Sequence, residues 1–319
     1  MTVFDVFNGD ADGICALHQL RLSDPQDSVL VTGVKRDINL LKKVNAGAGD
    51  HVTVLDVSLD KNREGLTEIL NAGASVLYFD HHFAGDIPEH DNFETFINTD
   101  SNVCTGLLVN GYLKGAHLPW AVTAAFGDNL FDSAVSVAKP LGLSGKQLEL
   151  LKELGTYINY NGYGSSLDDL YYRPDQLYQF IKPYSDPFAF IAEHEAFKIL
   201  KDGFNSDMTH AAETNAELEE DKFAVFILPD ASWARRVSGV YANQLAHDFP
   251  DRAHAILSRQ ADSTFVVSVR APLSNKVGAD DVCRQFPSGG GRKAAAGINS
   301  LPDSEFDRFV EVLREVFGL

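Results

Sequence analysis

The chain has 319 residues, of which 45% are hydrophobic, and carries a formal charge of −18 with a pI of about 4.8. That length accommodates two domains or one large one, and no run of 18 apolar residues marks a membrane span. So acidic a body, without a Lys/Arg-rich run of five, argues against a protein that grips duplex or long single-stranded nucleic acid, because such binding draws on many cationic contacts to phosphate.

A small anionic substrate is compatible with that charge, since bound dications invert the local electrostatics. The first twenty residues lack the basic start and apolar stretch of a signal peptide, so a cytoplasmic location is expected. Cys15, Cys104 and Cys283 are scattered and odd in number, which suits reduced packing residues rather than disulfides or structural zinc.

In chain order, residues 3–7 read as a strand, 13–22 as a helix and 28–34 as a second strand. Residues 37–46 read as a helix capped by Asp37, 52–57 as a third strand, and 62–72 as a helix closed by Gly73. Residues 76–79 and 93–97 complete five strands, with helices at 103–113 and 120–126. Strands alternating with helices imply a parallel sheet with right-handed crossovers.

The pattern then changes. Residues 147–157 are helical, 159–166 form a turn-rich break, and 186–201 and 208–218 read as polar helices. A second α/β pattern follows, with strands at 223–228, 253–257 and 264–269, a helix at 237–246, a glycine-rich turn at 287–297 and a last helix at 303–316. The expectation is an α/β protein with an N-terminal parallel-sheet domain (1–184), a helical connector (185–221) and a smaller C-terminal α/β domain (222–319).

Three acidic clusters follow apolar runs: Asn8, Asp10, Asp12 and Gly13 after the first strand, Asp56 after the third, and Asp80-His81-His82 after the fourth. Parallel strands place their carboxyl ends along one edge, where open α/β sheets bind ligands. Carboxylates with one or two imidazoles there suit Mn²⁺ or Mg²⁺. Alternation along an extended segment predicts that Asn8, Asp10 and Asp12 point to one side, with Gly13 letting the chain turn into the helix. Each cluster alone also fits a turn or a helix cap, and Asp128, after a helix, is either a cap or a further ligand. In the C-terminal half, Gly289, Gly290 and Gly291 can expose backbone N–H groups to an anion beside Arg292, and Arg270 can pair with phosphate; a flexible turn and a surface charge are the plainer readings.

Taken together, these motifs resemble the DHH phosphoesterase family over nearly the whole chain. Asp10-x-Asp12-Gly13, Asp56, Asp80-His81-His82 and Asp128 occur in the family's order, and Ser101 to Thr105 resembles the segment that opens the helix after the signature. The C-terminal half resembles the DHH-associated domain in Arg270, Gly289 to Gly291, and Ala295-Ala296-Gly297. The resemblance implies two Mn²⁺ ions held by Asp10, Asp12, Asp56, His81 and Asp128, with Asp56 bridging and the Asn8 carbonyl oxygen as a neutral ligand. Mg²⁺ is the alternative ion. It further implies that Asp80 and His82 orient the site or act on phosphate, and that Arg270, the glycine segment and Arg292 grip the nucleotide. Asn8 stands where some members carry Asp, and Arg292 where the glycine segment usually ends in His.

The activity implied is hydrolysis of short oligonucleotides or dinucleotides to nucleoside monophosphates. The alternatives are a phosphomonoesterase of bisphosphorylated nucleosides, a polyphosphatase, or a nucleotide-binding sensor that has lost turnover. Long duplex DNA and membranes are not expected partners, and a homodimer is one assembly open to the chain.

Overall fold

The computed structural model describes residues 1–318, which form two compact units that divide between Asp202 and Gly203. The first unit begins with β1 (Val3–Phe7), α1 (Ala11–Ser23), β2 (Ser28–Val31), β3 (His51–Leu55), α2 (Leu59–Asn71), β4 (Ser75–Asp80) and β5 (Phe93–Ile97). Helices α3 (Thr105–Tyr112), α4 (Leu118–Gly127), α5 (Phe131–Ala138), α6 (Gly145–Gly162), α7 (Pro174–Ile181) and α8 (Pro187–Glu193) follow, and α9 (Glu195–Ala212) runs across the unit boundary.

The five strands form one parallel sheet in the order β2-β1-β3-β4-β5. Strand order therefore reverses between β1 and β3, the switch point at which such sheets open a crevice beyond their carboxyl ends. Val6, Val54 and Tyr78 point to one face and are buried with Leu59, Leu66 and Leu70 around α2. Phe7, Leu55 and Phe79 alternate to the other face, where Phe79 stacks on Phe96 and meets Tyr112 of α3 edge-on. Each such fully buried side chain contributes roughly 1.5–3 kcal/mol. Asp5, fully buried in β1, has both oxygens satisfied by Arg21, with Ser28 Oγ also donating to it at 2.6 Å.

The second unit contains β6 (Leu218–Glu219), β7 (Phe223–Leu228), α10 (Ser232–Asp248), β8 (Ala253–Arg259), β9 (Thr264–Arg270), α11 (Ala279–Cys283), β10 (Gly289–Arg292), β11 (Ala295–Pro302) and α12 (Phe306–Phe317). Its six-stranded sheet runs β10-β11-β9-β8-β7-β6, with β7 and β8 parallel across α10 and the other pairs antiparallel. Phe309, Val312 and Leu313 of α12 close its core over Phe223, Val225, Leu257, Val267 and Ile298.

Several local expectations are corrected. Asp37 caps no helix: a short 3-10 turn, Leu40–Lys43, replaces the expected one. The Asn62 side chain accepts from Leu41 N–H at 3.1 Å and donates to the Ile38 carbonyl at 2.6 Å, so tertiary bonds satisfy backbone that a helix would otherwise pair. The break expected at 159–166 begins later, because α6 continues to Gly162. Its Asn161 is buried, with its amide bonded to the Tyr172 backbone at 2.8 and 3.0 Å. Leu218 belongs to a strand rather than a helix, through its pairing with Val225. The glycine-rich segment is not a loop: residues 289–292 form β10 because they find a partner in β11. All three cysteines are buried and unpaired.

Candidate metal centre

The carboxyl ends of β1, β3 and β4 lie side by side, since Phe7 is level with Leu55 and Leu55 with Phe79. The next residues, Asn8, Asp56 and Asp80, are thereby delivered to one sheet edge. Asn8 N–H bonds to the Leu55 carbonyl at 3.2 Å, and Asp56 N–H to the Phe79 carbonyl at 3.0 Å. Asp56 has φ of 58°, a left-handed conformation that non-glycine residues adopt at a cost and that concentrates at functional sites.

Asp10 and Asp12 are not two positions of an extended segment. Asp10 is the N-cap of α1, its Oδ1 accepting from Asp12 and Gly13 N–H at 3.1 Å each, while Asp12 lies in the first helical turn. Gly13 is helical; a Cβ there would lie 2.3 Å from the Asn8 carbonyl oxygen, so its role is close approach rather than a turn. The Asp12 oxygens accept from Thr105 and Gly106 N–H at 2.7 Å each, at the N-terminus of α3. That end of a helix favours an anion. Asp128 caps the C-terminus of α4, and Asn129 beyond it is left-handed with φ of 62°.

His81 lies among the acids. Its Nε2 is 3.4 Å from Asp56 Oδ1 and 3.9 Å from both Asp12 Oδ2 and Asp128 Oδ2. Its Nδ1 is 3.0 Å from the Val103 carbonyl oxygen. A carbonyl only accepts, so Nδ1 is the donating nitrogen, and Nε2 is the nitrogen turned toward the carboxylates, in the place from which it would ligate a metal. Asp80 is fully buried; its Oδ1 accepts from His81 N–H at 2.9 Å and from His82 Nδ1 at 2.7 Å, which sets the His82 ring.

The cluster is electrostatically loaded. Burial, then the charges of Asp10, Asp12 and Asp128, push the Asp56 carboxyl well above the usual range. Burial, then Asp12, pushes Asp128 up to about 6. Burial would raise Asp10 too, but the charge and hydrogen bond of Lys35, with Gly13 N–H, hold it below its ordinary value. Burial would lower His82, but its bond to Asp80 outweighs this and raises it.

The residues present fit divalent ions with a preference for oxygen ligands. Donor atoms of Asp12, His81 and Asp128 lie within 4.8 Å of one another, as do those of Asp56, His81 and His82. Asn8 Oδ1 and Asp80 Oδ2 are buried with no hydrogen-bond partner, acceptors of the kind a cation would satisfy. All six expected metal-site positions (Asn8, Asp10, Asp12, Asp56, His81 and Asp128) belong to this one unit; Asp10 and Asp12 each have both oxygens engaged by protein donors, and Asp10 is the one of the two bonded to a side-chain cation, Lys35.

Lys35 and Asn159 belong to this site too, and sequence reasoning did not assign them. Lys35 follows β2, a fourth strand of the same parallel sheet, so its place after an apolar run was a usable signal. Asn159 lies within α6 and offered none.

In the second unit, Arg292, Ala295, Arg270 and His254 stand level on β10, β11, β9 and β8 and share a face. Arg270 Nε donates to Asn243 Oδ1 at 2.6 Å. The three glycines of β10 differ. A Cβ at Gly289 would lie 1.7 Å from the Cys283 carbonyl oxygen, and one at Gly291, with φ of 140°, would lie 2.5 Å from Ala296 Cα; at Gly290 nothing lies within 4 Å. Packing therefore explains Gly289 and Gly291 and leaves Gly290 as the position without a structural need for glycine.

Residues 220–319 match the DHHA1 domain. No curated protein matches the chain in sequence. Among solved structures, an exonuclease RecJ bound to manganese is 16% identical with a TM-score of 0.62, over 98% of this chain and 89% of that one. RecJ in complex with Mn²⁺ from Thermus thermophilus is 16% identical with a TM-score of 0.63, over 98% of this chain and 51% of that one, so this chain spans about half its length. PggH, a pGpG-specific phosphodiesterase from Vibrio cholerae, is 14% identical with a TM-score of 0.57, over 98% of this chain and 97% of that one. No helix among the described residues is long and apolar enough to cross a membrane.

Proposed function

We propose that the chain is a phosphoesterase of the DHH family and, within it, a Mn²⁺-dependent phosphodiesterase of dinucleotides or other short oligonucleotides, releasing nucleoside monophosphates; its Asp80-His81-His82 signature, its fold and its DHHA1 domain support this reading. The observation that carries this reading is the His81 imidazole, locked by the Val103 carbonyl so that Nε2 faces Asp12, Asp56 and Asp128 at 3.4–3.9 Å. Those residues, with the Asn8 carbonyl oxygen, would hold two ions. When bound, Mn²⁺ supplies Lewis acidity: it makes a water nucleophilic near neutral pH and offsets charge on phosphoryl oxygens.

The chain's own residues do the rest. Asp80 holds His82 by Nδ1 and favours its protonated form, so that Nε2 can give a proton to the leaving oxygen. Arg270, Arg292 and the backbone of Gly289 to Gly291 are assigned to substrate phosphate and base. The preference for short substrates is supported by the charge of −18 and by the match over 97% of PggH, a dinucleotide enzyme of similar extent.

A panel of 5′-phosphorylated dinucleotides, cyclic dinucleotides, longer strands, nucleoside 3′,5′-bisphosphates and polyphosphate, assayed in Mn²⁺, tests this. Dinucleotides should be cleaved fastest. Preference for bisphosphates or polyphosphate would make it a phosphomonoesterase or polyphosphatase. Tight nucleotide binding without any product would make it a sensor.

A further inference from the structure

One cation is built into the acidic edge. Lys35 Nζ lies 2.5 Å from Asp10 Oδ2, 3.1 Å from Asn159 Oδ1 and 4.0 Å from Asp128 Oδ1, and sits over the Tyr163 ring, 5.4 Å from its centroid. It is not a surface lysine that has drifted inward. Its backbone N–H donates to the Gly162 carbonyl at 2.8 Å, and its carbonyl accepts from Asn8 Nδ2 at 3.5 Å. The chain crosses here at close quarters: a Cβ at Gly9 would lie 2.0 Å from the Gly33 carbonyl oxygen, and one at Gly162 would lie 3.0 Å from the Gly9 carbonyl oxygen. Glycines at Gly9 and Gly162 thus allow the end of β1, the segment after β2 and the end of α6 to pack together, and that crossing fixes where Lys35 reaches.

Two consequences follow. Asp10 has one oxygen on the N-terminus of α1 and the other on Lys35, so its charge is answered by the protein itself. Meanwhile an ammonium has three donors, and Asp10 and Asn159 occupy two. The remaining one has Asp128 only at 4.0 Å, beyond hydrogen-bond length, while the side chain keeps 23% of its surface open to solvent. A strongly hydrated cation would not be brought to this place for packing, and a neutral residue would fill the same space without desolvation.

We propose that Lys35 is a substrate-contact residue: its ammonium stands at the Asp10 corner as a resident cation and donates its remaining N–H to a phosphoryl oxygen. The ligand class is a phosphate mono- or diester dianion or monoanion, recognised through a non-bridging oxygen. Lys35 complements the divalent ions rather than replacing the ligands Asp12, Asp56, His81 and Asp128. The proposal rests on the phosphoesterase reading of the site, but it makes a claim about binding that holds without turnover.

The test uses the full chain, loaded with Mn²⁺, and two calorimetric titrations, one of Mn²⁺ alone and one of inorganic phosphate. Lys35→Met and Lys35→Gln are compared with wild type; the second retains a donor for Asp10 without the charge, which covers the case that the first does not fold. Both should weaken phosphate binding by about 10- to 150-fold, the worth of a charge-assisted hydrogen bond, with Lys35→Arg recovering part of it. Mn²⁺ affinity should not fall. Phosphate affinity within about threefold of wild type, or loss of Mn²⁺ binding in the variants, would overturn the proposal and leave Lys35 as a support for Asp10. If wild type binds phosphate through Lys35 yet hydrolyses nothing in the substrate panel, the phosphoesterase reading fails and this one stands.

Discussion

His81 Nδ1 bonds to the Val103 carbonyl oxygen at 3.0 Å, and this single backbone contact decides which nitrogen of the signature histidine faces Asp12, Asp56 and Asp128. Removing the ring should therefore remove metal as well as rate. His81→Ala is expected to weaken Mn²⁺ binding by at least about tenfold and to lower phosphodiesterase turnover by orders of magnitude. Calorimetry and steady-state kinetics check the two separately; near-normal Mn²⁺ affinity would mean that the histidine is only structural.

Asn8 Oδ1 is buried without a hydrogen-bond partner. If it is a neutral ligand, Asn8→Asp adds a negative charge beside a dication and should tighten Mn²⁺ binding. Titration of wild type and variant with Mn²⁺ gives the answer directly, and an unchanged or weaker affinity places Asn8 outside the ligand set.

The three glycines of β10 should separate by experiment. Gly290→Val meets open space and should leave the melting temperature near that of wild type, while raising KM or lowering kcat for a dinucleotide. Gly289→Ala drives a methyl into the Cys283 carbonyl and should destabilise by roughly 1–3 kcal/mol. Equal loss of stability in both variants would show that Gly290 is also held by packing.

His18 predicts a pH dependence of stability. Its Nε2 donates to the Tyr184 carbonyl at 2.8 Å, its ring meets the edge of Trp120, and burial lowers it from 6.5 to about 4. The folded state thus resists protonation that the unfolded chain accepts. Above pH 6.5 neither state binds the proton and stability is unaffected; from there down to about 4 the unfolded state gains, at a total cost of up to about 3 kcal/mol. Urea midpoints at pH 7.5 and pH 5 should fall further apart for wild type than for His18→Gln, in which the carboxylates titrate alike. Identical pH slopes would contradict the assignment.

Substrate length should matter through charge. A body at −18 repels a polyanion once the strand extends beyond the cation-lined site. Rates should drop as an oligonucleotide grows from roughly two to twenty residues at low salt, and added salt should narrow the gap by screening. A rate that is independent of length would point instead to a groove for single strands.

The parallel sheet and its acidic edge were legible in the sequence because both depend on local order. Apolar runs of strand length ending in Asn8, Asp56 and Asp80 report strand and strand end together, and parallel pairing does the rest. What needed the tertiary structure were the contacts that cross between elements. Nothing near Val103 marks its carbonyl as the partner of His81, and nothing within α6 marks Asn159 as the partner of Lys35, because those encounters depend on how loops and helices cross rather than on periodicity. The glycines of β10 show the same limit from the other side. Their intrinsic preference is for a turn, and they form a strand because β11 offers their backbone a partner, an energy that no reading of local propensity contains. Asp10 and Asp12 are separated for a similar reason. One caps α1 and the other is drawn to the start of α3, so two carboxylates that look equivalent in sequence differ in the charges they face.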